Sequence, residues 1–243
     1  LYRFFEDPQR GGLPWDEAWV RRMFRLYKDK FQWNTYRFCI GFPPEFWYRI
    51  ADEEGFLIQD EFPAWGWITP QRDLVTEYTE WMRERWNHPS VVIWDAQNET
   101  PTPLTGEAVQ KVRGLDLSHR PWDNGWCEPQ SPTDVWEAHP YLFMCGPYTL
   151  EKLAKTPAEY SKYNSIGNPL SEAVGKDPAK VEKFRPNPVI INEYEWLWVN
   201  RDGTPTTLTR APYEALLGKD ATPEQRFRLQ ARYNAAVTEF WRA

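Results

Sequence analysis

Apolar positions recur along the chain with helical and strand periods in turn. Between Asp16 and Lys30, Trp19, Val20, Met23, Phe24 and Tyr27 share one helical face. Asn34 to Ile40 reads as a strand, and Gly41-Phe42-Pro43-Pro44 breaks it. A helix is predicted over Glu45 to Glu54, stopping at Gly55, then a short strand from Phe56 to Gln59 that runs into Asp60-Glu61. Arg72 to Trp86 has the clearest stripe, with Leu74, Tyr78, Trp81, Met82 and Arg85 one turn or two apart. Asn87-His88-Pro89 ends it, and Val91 to Trp94 follows as an unalternated apolar strand, the pattern of a strand covered on both faces.

The second half is less regular. Gly106 to Leu117 is a predicted helix, Pro121 to Trp126 and Val135 to Tyr141 are weaker strands, and Val189 to Asn192 is a further buried strand. Thr222-Pro223-Glu224-Gln225 carries a capping box, and Leu229, Tyr233, Ala236, Val237 and Phe240 form the stripe of the helix it starts. Residues 142–187 and 195–221 show little clear period and read as long loops, functional or mobile.

Strand and helix alternate, which calls for a parallel sheet. The expected fold is α/β, a (β/α)8 barrel of the TIM type. Six strands are legible, so the barrel is read as partial, lacking its first and last strands, over one catalytic domain spanning residues 1–243. An incomplete barrel exposes apolar edges, and the chain is therefore expected to be a fragment of a larger enzyme, with its location undetermined. A smaller open sheet is the other architecture compatible with the strand count.

Composition narrows the partners. The net charge is −6 and no long run of Lys or Arg occurs, which argues against nucleic acid or an anionic membrane surface. No apolar run is long enough for a transmembrane helix. Cys39, Cys127 and Cys145 form no CxxC pair and read as buried or half-buried thiols. His88, His119 and His139 lack metal-ligand spacing, so neither a zinc site nor any other cofactor is expected. Trp is unusually frequent, with 15 residues. Trp65, Trp67, Trp122, Trp126, Trp196 and Trp198 stand beside Pro, Gly or acidic residues in predicted loops, where flat rings could stack on the apolar face of a sugar.

The candidate chemistry sits at strand ends. Asn98-Glu99 follows the run Val91 to Trp94, and Asn192-Glu193 closes the run that begins at Val189. In a β/α barrel the strand tips converge on one mouth, so distant residues can meet there. Glycosidic cleavage uses two carboxyl groups on opposite sides of the scissile carbon, about 5–5.5 Å apart for retention. Glu99 is the candidate general acid/base and Glu193 the candidate nucleophile. Glu195 lies on the same strand face two residues on, but past the strand end, so Glu193 is preferred. Arg37 is the candidate cation and Tyr141 the candidate hydroxyl beside Glu193. Asn98, Asp60, Glu61 and His139 are candidate contacts for sugar hydroxyls, Asp60 and Glu61 being equally able to cap the next segment, and Trp196 and Trp198 are candidate stacking rings. The alternative is a non-catalytic carbohydrate-binding barrel that keeps the aromatic cleft.

The segment Asn87-His88-Pro89-Ser90-Val91-Val92-Ile93-Trp94 with Asn98-Glu99 resembles the acid/base signature of glycoside hydrolase family 2, the β-galactosidase and β-glucuronidase family. Ile50 to Phe62 resembles that family's second helix and third strand, and Ile191-Asn192-Glu193-Tyr194 its nucleophile strand. The likeness runs from about Trp15 to Trp198. It implies a (β/α)8 catalytic domain, retention of anomeric configuration, the two glutamates in the roles above, an oligosaccharide or glycoside as substrate, and β-sandwich domains elsewhere in the full-length chain. Three departures concern the substrate: Asp95-Ala96-Gln97 before Asn-Glu, Glu195 after Tyr194, and Phe38-Cys39-Ile40-Gly41 after Arg37.

Overall fold

The computed structural model describes residues 9–66, 68–139, 141–144, 146–151, 179 and 187–242. Trp67, Cys145 and most of the irregular stretch 142–187 lie outside them. The chain divides into two compact units, Leu1–Glu137 with Pro178–Ile190, and Ala138–Asp177 with Ile191–Ala243. Each is described by itself.

The first unit is built from α1 (Glu17–Phe31), β1 (Thr35–Phe38), α2 (Phe46–Glu54), β2 (Leu57–Glu61), α3 (Leu74–Arg85), β3 (Val91–Asp95), α4 (Pro103–Val112), β4 (Trp122–Asp123) and β5 (Trp136–Ala138). β1 to β4 form a parallel sheet in sequence order. A parallel bridge between Asp123 and Val135 carries the order on towards β5. β5 pairs with β6 (Val189–Ile191), where the Trp136 N–H donates to Pro188 O. This is an α/β fold with parallel strands, and all six predicted strands are present.

The local signals explain the helices. Asp16 caps α1 by accepting from the Ala18 and Trp19 N–H groups, and Asp73 caps α3 by accepting from Thr76. Gly55, at φ +64°, stops α2 in the left-handed conformation that glycine adopts without strain. The buried positions of α3 are Leu74, Tyr78, Trp81, Met82 and Arg85, the stripe read from the sequence. α4 starts three residues before the expected Gly106, because Thr102 Oγ1 accepts from Leu104 N and Pro103 suits the first turn. It ends at Val112 and continues as a 3-10 turn over Arg113–Leu115.

Strand parity sorts the side chains onto two faces. Phe38, Ile58, Asp60, Trp94 and Trp122 fall on the helix side. Phe38 packs edge-on to Trp47 and Tyr48 of α2, and Trp94 and Trp122 to Trp81 of α3. Trp122 is thus a core residue in β4 rather than a loop ring; each such ring removes about 150–250 Å² from water. Arg37, Gln59, Glu61, Asp95, Asp123 and Glu137 occupy the alternate positions, so the other face is largely polar, with Ile93 beside Gln59 as an apolar member. β6 departs from the expected buried strand: Val189 is 44% exposed and Ile190 and Ile191 are half-buried.

The second unit contains α5 (Arg210–Leu217) and α6 (Pro223–Arg242). Leu197, Tyr213, Leu229, Tyr233 and Val237 belong to its core, with Leu142 and Phe143. The capping box forms at the start of α6: Gln225 N donates to Thr222 Oγ1, and Thr222 N to Gln225 Oε1. α5 lies inside the stretch read as irregular; eight residues with Pro212 in the first turn are too few to establish a period. No helix among the described residues is long and apolar enough to cross a membrane.

Candidate active site

In the first unit the pairing of β2 with β3 continues past the strand ends. Phe62 N donates to Asp95 O, and Asn98 N to Ala64 O. Glu99 follows at φ +45°, a left-handed conformation uncommon for a residue with a Cβ. Its neighbours hold it there. The buried Gln97 accepts from Thr100 N at 2.6 Å and donates to Asn124 O at 2.8 Å. Thr100 Oγ1 donates to Asn98 O and accepts from Gly66 N. The Cys127 thiol donates to Thr102 O, and Thr102 N donates back to the sulfur. Burial raises the pKa of this thiol, the state of a structural cysteine; Cys127 and Cys39 are both half-buried.

Beneath Asn98 lies a carboxylate cage. Arg37 Nε is 3.1 Å from Asp95 Oδ2, and Arg37 Nη2 is 2.5 Å from Glu61, 3.0 Å from Glu137 and 2.9 Å from Asn98 Oδ1. Gln59 Nε2 bridges Asp95 and Asp123. Burial raises the carboxyl pKa values of Glu61, Asp95 and Asp123; the neighbouring carboxylates raise them further and Arg37 offsets part of this. Burial works against the Arg37 charge, but Asp95, Glu137 and Glu61 outweigh it and hold the guanidinium protonated. The cage therefore keeps protons at pH values where exposed carboxyls have lost theirs. Asp95, Asp123 and Glu137 each bring one oxygen within 4.8 Å of the others, a spacing that could hold a cation.

In the second unit the extended segment after Glu193 is pinned to its helices. The Tyr213 hydroxyl donates to Leu197 O, the Tyr233 hydroxyl to Tyr194 O and Thr209 Oγ1 to Trp198 O. Glu193, at the head of this segment, accepts a hydrogen bond from the Tyr141 hydroxyl, and His139 Nε2 is 3.7 Å from its other oxygen. The Trp196 ring centroid lies 5.1 Å from that of Tyr141 and 4.9 Å from that of Trp198. Burial raises the Glu195 carboxyl pKa.

The structure thus brings Tyr141 and His139 to Glu193, Trp196 to Tyr141, and Arg37 to Asn98. Arg37 is caged by the carboxylates of its own unit and is bonded to Asn98. One expectation changes. Asp60 points to the helix side, where its oxygens accept from the Tyr48 hydroxyl and Trp81 Nε1, and its side chain is fully buried. Parity made Glu61, not Asp60, the polar-face residue of β2. Sequence reading also passed over Gln59, Asp95, Asp123 and Glu137. The signal available for them was their shared parity with Arg37 across five short strands.

The first unit is thus a parallel-sheet α/β fold with carboxylates presented just past its strand ends. No family model matches the chain. The chain is similar to bacterial proteins named as β-glucuronidases. A protein named "Putative beta-glucuronidase" from Formosa agariphila is 30% identical over 117 residues, which is 43% of this chain and 11% of that protein. Among solved structures, the Ruminococcus gnavus β-glucuronidase in complex with C6-substituted uronic isofagomine superposes with a TM-score of 0.57 at 21% identity, covering 93% of this chain and 37% of that one. The Lactobacillus rhamnosus β-glucuronidase gives 0.56 at 19% identity, covering 91% and 37%. The chain therefore spans a small part of the curated relative and little more than a third of the solved ones. The resemblance to the β-galactosidase and β-glucuronidase family read from the sequence is borne out on its glucuronidase side, and the proteins the chain is similar to are glycoside hydrolases.

Proposed function

We propose that this chain is part of the (β/α)8 catalytic domain of a retaining glycoside hydrolase that removes terminal β-linked sugars, with a β-glucuronide as the first substrate class to test. The observation that carries the reading is the Glu193 carboxylate held by the Tyr141 hydroxyl beside a wall of tryptophans. A nucleophilic carboxylate needs such a donor to stay ionised and oriented. A Glu193 oxygen attacks the anomeric carbon as the bond to the leaving oxygen breaks, and Glu99 gives that oxygen its proton. Water then attacks the glycosyl-enzyme ester, Glu99 takes the water's proton, and Glu193 departs as a carboxylate. Asn98 donates to a sugar hydroxyl, with Tyr141, His139, Trp196 and Trp198 lining the sugar. The full-length chain carries β-sandwich domains as well.

The test uses the full-length protein on chromogenic β-glycosides, β-glucuronides first. Glu99→Ala and Glu193→Ala are each expected to lose about 10³-fold or more in turnover, on the scale of removing a nucleophile or acid/base. Azide rescues both, giving glycosyl azides of opposite anomeric configuration. Unchanged turnover in either variant sinks the assignment, and saturable sugar binding without turnover in the wild type points to a binding barrel instead.

A further inference from the structure

Arginine carries hydrogen-bond donors and no acceptor. The Asn98 amide atom 2.9 Å from Arg37 Nη2 is therefore its oxygen. The amide nitrogen makes no hydrogen bond among the described residues, and it is the edge left for a ligand. A turn of the amide would set its N–H groups against the guanidinium. Arg37 itself has little freedom: its Nε faces Asp95, its Nη2 faces Glu61 and Glu137, and Asp95 is braced by Gln59 at 2.8 Å. Asp95 stands in one of the stretches where this chain departs from the family pattern.

We propose that Asp95 and Glu137 are positioning residues: they hold the Arg37 guanidinium so that Asn98 presents its amide N–H groups, and not its oxygen, to an acceptor oxygen on the sugar. The inference rests on the glycosidase reading and adds to it a device that fixes which edge of Asn98 the substrate meets. The sugar so recognised carries an oxygen with a free lone pair at that position.

The test compares the full-length wild type with Asp95→Asn, Glu137→Gln, Arg37→Lys and Asn98→Ala on a 4-nitrophenyl β-glycoside that the wild type turns over, and on its analogues lacking each ring hydroxyl in turn. Asn98→Ala identifies the hydroxyl concerned as the one whose removal no longer matters. The wild type is expected to lose roughly 10–100-fold in kcat/KM when that hydroxyl is absent, the scale of one buried hydrogen bond. In Asp95→Asn and Glu137→Gln that penalty shrinks to a few-fold, while the penalties at every other ring position stay as in the wild type. A general loosening of the fold would lower all of them together. Arg37→Lys keeps the charge in the cage but not the fork, and shows the same selective loss should the variants of the acids fail to fold. Equal penalties in wild type and variants at all positions overturn the positioning role and leave the glycosidase reading standing. A wild type that turns over no glycoside overturns both.

Discussion

Glu99 sits at φ +45°, and that single dihedral can be isolated experimentally. A residue with a Cβ in the left-handed region carries about 1–2 kcal/mol of steric strain that glycine does not. Glu99→Ala and Glu99→Gly remove the same side-chain contacts and differ in backbone freedom alone. Alanine is ordinarily the more stabilising by about 0.4–1 kcal/mol, because it restricts the unfolded chain. Here the strain outweighs that difference, so the glycine variant is expected to be the more stable by about 0.5–1 kcal/mol. In a domain of 150–250 residues this is about 1–4 °C in Tm. The assay is the thermal or urea unfolding of both variants in the full-length protein, beside the wild type. The same loop fixes the strain: Gln97 grips Thr100 N, and Thr100 Oγ1 grips Asn98 O, so the backbone cannot relax around position 99. An alanine variant as stable as the glycine variant, or more so, would refute the argument that the loop stores strain to present Glu99.

Two further predictions concern stability. Burial pushes the Asp60 carboxyl up to about 6, against the partial opposition of the Tyr48 and Trp81 hydrogen bonds. The folded protein binds this proton more tightly than the unfolded chain, so the group's stabilisation is full below about pH 4 and is lost as pH rises through 6. Asp60→Asn does not titrate, and its unfolding free energy in urea should shift in its favour by ~2 kcal/mol between pH 4 and pH 7 relative to wild type; a pH-independent difference defeats the reasoning. In the second unit Gly203 lies at φ +78°, and an added Cβ would overlap Pro223 at the start of α6. Gly203→Ala is therefore expected to destabilise by about 2 kcal/mol or more, read as a lower Tm. A neutral substitution would show that the 200–204 turn is not packed against that helix.

The sequence alone was enough for most of the elements and for singling out two candidate glutamates. Unbroken apolar runs, caps such as Asp73 and Thr222, and stops such as Gly55 are encoded within a few residues of where they act, so α3, α6 and the six strands could be read directly. Asn98-Glu99 and Asn192-Glu193 stood out because each closes an apolar run. What the sequence left open was which way polar residues face. In strands of two to five residues a shift of one position exchanges the faces, and local propensity does not detect it. Register across β1 to β4 turned Asp60 towards Tyr48 and Trp81, and turned Arg37, Glu61 and Asp95 towards one another. Whether a carboxyl becomes a ligand contact, a helix-side anchor or part of a proton-holding cage depends on neighbours up to a hundred residues away, such as Glu137 beside Arg37. Only tertiary packing brings such groups together.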